Sequence, residues 1–201
     1  MRTSPSLILA SGSVIRAELL RRAGLAFDII PGRIDEEAVR LGHQAEGGSA
    51  RDLADLLAEL KARKISDKNP GRLVIGADQV LECEGRMFAK PATITEAADH
   101  LAALSGRTHH LLSACVVCRD GAPLWRHVGH VRLTMHNLAP AFIADYLHRN
   151  WHSVGEAVGC YKMEEEGVRL FSRVEGDFFH ILGLPLIELL TWLHIRGDIA
   201  T

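Results

Sequence analysis

Asp78 and Lys90 are the charges around which chemistry is easiest to place in this chain. They stand inside RLVIGADQVLECEGRMFAKP, residues 72 to 91. Leu73 to Ile75 is a short, β-branched apolar run expected as a buried strand. Gly76 and Ala77 then remove side-chain bulk just before Asp78, so a ligand can come close to the backbone at the strand's end. A second extended run, Gln79 to Cys83, leads through a Glu84-Gly85 turn into Arg86 to Ala89, and Lys90-Pro91 ends the unit. The hairpin would bring Lys90 back toward Asp78, an acid and a cation at one place. The same spacing also describes a hairpin whose two charges are solvated ends.

Three other places carry reactive groups. Ser11-Gly12-Ser13 lies between a strand, Ser6 to Ala10, and a helix, Val14 to Ala23. Strand, small polar turn and helix present backbone N–H groups and a helix N-terminus to an anion, and the serine hydroxyls add to them. Arg16 in the first turn opposes the helix dipole unless an anion is bound nearby. The turn is not a Walker loop, because G-x-x-x-x-G-K-[ST] is absent. Asp35-Glu36-Glu37 follows a second strand, Phe27 to Pro31, and suits either a divalent cation or a helix cap. Lys61 sits beside the apolar stripe of a helix from Ala50 to Ile65, near its C-terminal end, where a cation also suits the dipole.

The cysteines and histidines point elsewhere. Cys115 and Cys118 form a C-x-x-C inside the strand-like LLSACVVCR, where positions three apart face opposite sides. No second cysteine or histidine pair completes a zinc set, so core cysteines are expected. Eleven histidines are scattered, and neither His109-His110 nor His127 with His130 converges on a metal by spacing.

The frame for these residues is ample. The 201 residues are 47% hydrophobic and 24% charged, with a net charge of −2, which suits one domain, residues 1–201, with a sizeable core. The near-neutral balance argues against a nucleic-acid coat. No apolar run approaches the roughly 20 residues of a membrane span, and the N-terminus makes a poor signal peptide. A cytoplasmic protein is expected. Ser49 with Asp52 caps the helix Ala50 to Ile65, with Leu53, Leu56, Leu57 and Leu60 inward, after a loop over 42 to 48. Thr95 caps a helix from Glu96 to Leu104. Arg107 to Arg119 and Ala122 to Met135 form a long hairpin about Asp120-Gly121. Pro140 opens a helix to about His148, short strands and loops fill 155 to 183, and Pro185 opens a closing helix, Leu186 to Ile195. Strands mixed with single helices indicate α/β or α+β layers on a mixed sheet.

Three stretches in order resemble the Maf family, nucleoside triphosphate pyrophosphatases also called septum formation inhibitor proteins. LILASGSVIRAELLRRAGLAFDIIPGRIDE at 7 to 36 is similar to the family's opening L-A-S-x-S-P-R-R-x-E-L-L…D-E. VIGADQV…GRMFAKP, followed by EAADHLAALSGRTH, resembles its G-A-D-T/Q-V…K-P…L-S-G-x-x-H. RVEGDFFHILGLPL at 173 to 186 resembles R-I-E-G-D-x-x-x-x-x-G-L-P. The resemblance implies an ITPase-like α/β fold, a mixed twisted sheet flanked by helices, with two lobes and a central cleft. It also implies a divalent metal cation, Mg²⁺ or Mn²⁺, and a homodimer. The implied activity is hydrolysis of a nucleoside triphosphate at the α–β phosphoanhydride, giving the monophosphate and pyrophosphate, as in nucleotide-pool cleaning. The alternative is a non-catalytic nucleotide-binding regulator of cell division.

By resemblance, Asp78 is the proton acceptor, with Glu36 and Asp78 toward the metal. Ser11, Arg16, Lys61 and Lys90 line the phosphates, and Ile15, Gln79 and Glu164 set base preference. The chain departs from the family where Val14-Ile15 replaces Pro-Arg. Glu164 and Gln79 resemble the 7-methyl-GTP branch. One carboxylate at Glu164 can accept guanine's N1–H and exocyclic amine together, while Gln79 satisfies the O6 carbonyl.

Overall fold

A computed structural model describes residues 6–199. A seven-stranded mixed sheet carries the molecule. Its strands are β1 (Leu7–Leu9), β2 (Phe27–Ile29), β3 (Leu73–Cys83), β4 (Arg86–Phe88), β5 (Thr108–Arg119), β6 (Ala122–Met135) and β7 (Phe171–Glu175), in the order β2-β1-β3-β5-β6-β7 with β4 also on β3. The β2, β1 and β3 pairings are parallel and the remainder antiparallel. Both expected hairpins close on two residues of positive φ, Glu84-Gly85 at 51° and 81° and Asp120-Gly121 at 52° and 74°. That is the backbone a two-residue turn needs to match strand twist.

The central strand differs from the sequence expectation in a way that matters. Leu73 to Cys83 is one strand of 11 residues, so Asp78 lies within it rather than at its end. Along one edge β3 pairs with β1 over Leu73 to Ile75 and with β4 over Leu81 to Cys83. Neither neighbour reaches Gly76 to Val80, and a gap opens in the sheet there. The other edge stays paired with β5 from Val74 to Glu82, which carries the strand across the gap.

Seven α-helices among the described residues cover this sheet. They are α1 (Val14–Arg22), α2 (Glu36–Ala45), α3 (Ala50–Ser66), α4 (Ile94–Leu104), α5 (Pro140–Val154), α6 (Phe178–Ile181) and α7 (Leu186–Ile195). One core joins α1 and α7 to Leu9, Ile75 and Cys115, and a second joins α3 to Val74, Ala114 and Cys118 on the other face. The C-x-x-C cysteines therefore do face opposite ways, both buried. A third core gathers α4, α5 and β4 at the far ends of β3, β5 and β6. Two cores at one end and one at the other make two lobes on a single sheet.

Local signals explain most boundaries, and three boundaries and one buried face differ from expectation. Ser49 caps α3, its Oγ accepting the Asp52 N–H at 3.1 Å. The buried stripe of α3 is Leu53, Ala54, Leu57, Ala58, Lys61, Ala62 and Ile65, while Leu56 is exposed. Small alanines rotate the stripe toward the sheet, so Lys61 lies on it and not beside it. Thr93, rather than Thr95, caps α4: its Oγ1 accepts the Glu96 N–H at 3.1 Å, and Glu96 in turn accepts the N–H of Ala92, the residue before the cap, at 2.7 Å. Asp35 caps α2, which runs through residues expected as loop, and α5 continues past His148 to Val154.

Candidate active site

The gap in the sheet at Asp78 is the floor of a cleft of about 1170 Å³ between the lobes. Every residue that the family resemblance assigns to the site lines it: Ser11, Ile15, Arg16, Glu36, Lys61, Asp78, Gln79, Lys90 and Glu164. Two glycines bring the centre together. A Cβ on Gly76 would lie 2.1 Å from the Ala58 carbonyl oxygen, and one on Gly32 would lie 2.5 Å from that of Lys61. Bare backbone at both positions lets α3 approach β3 and lets the loop after β2 close on α3. Lys61 then donates to Asp78 Oδ1 at 3.2 Å and lies 2.8 Å from Glu36 Oε1. Lys61 and Asp78 are almost wholly buried, whereas the Glu36 side chain is 54% exposed. Because Asp35 takes the capping role, Glu36 is left to face the cleft.

The serine turn is built as expected, with an added function for Arg16. Ser13 caps α1, and Ser11 Oγ accepts the Ser13 N–H at 3.3 Å and Arg16 Nη1–H at 3.2 Å. Arg16 also donates from Nη1 to the Ala77 carbonyl at 2.8 Å and from Nε to the Gly183 carbonyl at 2.7 Å. Burial pushes its pKa down against the pull of Asp78, and a guanidinium keeps its charge through such a shift. Arg16 thus ties the turn to the backbone beside Asp78 and to the segment after α6. Its Nη2 carries the remaining N–H groups for a ligand. Lys90 stands exposed at the end of the β4 hairpin, with no carboxylate within 4 Å among the described residues.

Gln79 differs from the role expected for its amide. Its Nε2 donates to Ser113 Oγ at 2.9 Å and to the His180 and Ile181 carbonyls at 3.1 and 3.0 Å. Carbonyls only accept, so the NH₂ is committed to the protein and Oε1 is the end left for a ligand. An O6 carbonyl finds no donor there. Glu164 is exposed in the turn before the second lobe's short helical segment. Ile15 packs its inner side on the α1–α7 core.

Sequence reasoning missed two cations on the cleft wall. Lys162 donates to Ser153 Oγ at 2.7 Å, and Arg40 pairs with Glu37 at 2.6 Å. Arg40 stands one helical turn after Glu36, a signal visible once α2 is read as a helix. Nothing in the local pattern marks Lys162.

A family model described as "Maf-like protein" matches residues 6–195. The chain belongs to the Maf family. Among curated Maf relatives, the chain is 56% identical over 193 residues to a "Nucleoside triphosphate pyrophosphatase" of Roseobacter denitrificans, covering 96% of this chain and 97% of that one. It is 53% identical to one of the same description from Ruegeria pomeroyi, covering 97% and 98%. A "7-methyl-GTP pyrophosphatase" of Rhizobium etli is 48% identical over 196 residues, with 98% of each chain covered. The mixed sheet flanked by helices is the architecture expected of a Maf protein. No helix among the described residues is long and apolar enough to cross a membrane.

The Maf cleft also has a donor set for a hard cation. Glu36 and Asp78 offer carboxylate oxygens close enough for one ammonium to touch both. Oxygen ligands of this kind, completed by water, fit Mg²⁺ or Mn²⁺.

Proposed function

We propose that this chain hydrolyses nucleoside triphosphates at the α–β phosphoanhydride, releasing the nucleoside monophosphate and pyrophosphate. The observation that carries the reading is Asp78, a carboxylate held at a gap in the sheet by buried Lys61 and flanked by the serine turn. Hydrolysis at phosphorus needs an oriented water, neutralised charge and a stabilised leaving group. Asp78 accepts the proton of the attacking water. Ser11, the N–H groups at the start of α1 and Arg16 Nη2 hold phosphate oxygens from one side. Lys90 does so from the other, and Lys61 supplies positive charge at the centre. Glu36 and Asp78 would hold the divalent cation, which when bound neutralises phosphate charge and acidifies water.

Base preference rests on the outer rim. Glu164 accepts the N1–H and amine edge of a guanine, and its charge favours the cationic 7-methyl form. Gln79 Oε1 offers a second acceptor. The name of the Rhizobium etli relative supports this choice over uracil or thymine. A homodimer acting on the cytoplasmic nucleotide pool completes the proposal.

The test is the position of bond cleavage. In ¹⁸O-water with Mg²⁺, mass spectrometry should find the label in the monophosphate and pyrophosphate as the other product. Orthophosphate and diphosphate as direct products would make the cleft that of a γ-phosphatase instead.

A further inference from the structure

A second cluster of ligand-type side chains lies outside the cleft. His127 comes from β6, His180 from α6 and Glu188 from the first turn of α7, and none of the three lines the cavity at Asp78. One ligand atom from each lies within 4.8 Å of the other two. His180 Nε2 is 3.1 and 3.2 Å from the two Glu188 oxygens, and His127 Nε2 is 3.7 Å from Oε1. Ligand atoms on a tetrahedral zinc with bonds of 2.0–2.1 Å stand about 3.3 Å apart. Two sides of the triangle are therefore near the required length, and a small rotation of half-exposed His127 closes the third.

The surroundings are shaped to hold the imidazoles. Gly129 lies opposite His180, and a Cβ there would fall 2.3 Å from its Nδ1. His180 is buried at 7% exposure, while the side chains of His127 and Glu188 remain 37% and 33% exposed, leaving an approach from solvent. Trp125 stacks on both His127 and Trp192 and forms a wall. Two imidazoles and one carboxylate with an open position suit zinc, a borderline ion, and not magnesium.

We propose that His127, His180 and Glu188 form a zinc site that clasps β6, α6 and α7. The His180 carbonyl accepts from Gln79 and Ser113, so this clasp also fixes the segment against which Gln79 is anchored. The proposal is independent of the reaction assigned to the cleft.

The experiment is zinc titration of metal-stripped, tag-free protein by calorimetry, with cobalt as a spectroscopic probe. One equivalent should bind with a Kd of about 1 µM or tighter, and excess magnesium should not displace it. Cobalt should give visible d–d bands of low coordination number without thiolate charge transfer. His127→Ala, at a half-exposed position that tolerates truncation, and Glu188→Gln should each weaken zinc at least tenfold. Asp78→Asn should leave it unchanged. No bound equivalent, an equivalent indifferent to His127→Ala and Glu188→Gln, or one that Asp78→Asn removes would overturn the proposal.

Discussion

At the scale of single residues, Asp78 carries the sharpest expectation. Replacing it by Asn keeps its shape and leaves an oxygen that can still accept from Lys61, but removes the proposed proton acceptor and a carboxylate charge. Turnover should fall by about 10² or more with an unchanged circular dichroism spectrum. Near wild-type turnover would end the assignment. His109 offers a test of a different kind. It is fully buried, with Nε2 2.8 Å from the Tyr161 hydroxyl and Nδ1 without a partner among the described residues. Burial, aided by neighbouring His110, lowers its pKa from 6.5 to about 4. The unfolded chain binds that proton more readily, so the stability it contributes is present above about pH 6.5 and is lost as pH falls toward 4. Between pH 7 and 5 the loss is about 2 kcal/mol. Urea unfolding of His109→Gln should show a pH dependence smaller by that amount, and an unchanged dependence would mean that His109 is not held neutral.

At the scale of elements, the fit between α3 and β3 decides the site. Ala58 and Ala62 leave room on the helix, and Gly76 leaves room on the strand. A methyl at Gly76 must push α3 outward, because the atom in its way is backbone and cannot rotate aside. Gly76→Ala should cost about 3 kcal/mol, an overpacking penalty, and should lower kcat at least about tenfold as Lys61 moves from Asp78. Urea unfolding and steady-state rates check both halves. Full activity with reduced stability would separate the packing from the site.

For the whole molecule, the cleft between lobes gathers residues far apart along the chain around one cavity. Ser11 and Arg16 belong to the first lobe, and Lys90 and Glu164 to the second. On the proposed reading, phosphate is gripped from both lobes, by Ser11 and Arg16 in the first and Lys90 in the second, while Glu164 in the second lobe reads the base. The value of kcat/KM should be higher for 7-methyl-GTP and GTP than for UTP and dTTP by roughly 5- to 150-fold, the worth of one bidentate base contact. Glu164→Gln should compress that ranking. A lead for UTP or dTTP in the wild type, or an unchanged ranking in Glu164→Gln, would remove Glu164 from base reading.

The sequence by itself determined what local chemistry controls. The Glu84-Gly85 and Asp120-Gly121 turns, the Ser49 cap and the strand–serine turn–helix unit are short-range, each specified within a few neighbouring residues. The family resemblance marked nine of the residues that line the cleft, though not Arg40 or Lys162, because reactive groups recur in fixed order along a chain. Tertiary structure alone decided which atoms of those residues are available. Arg16 spends three donations inside the protein and Gln79 spends its whole NH₂, since each meets carbonyls from Gly183, His180 or Ile181, about a hundred residues or more away. His127, His180 and Glu188 lie on three separate elements, and no spacing along the chain encodes how a strand and two helices pack. Lys61 shows both at once: its helix was legible, but its meeting with Asp78 depends on the absence of a methyl group at Gly76.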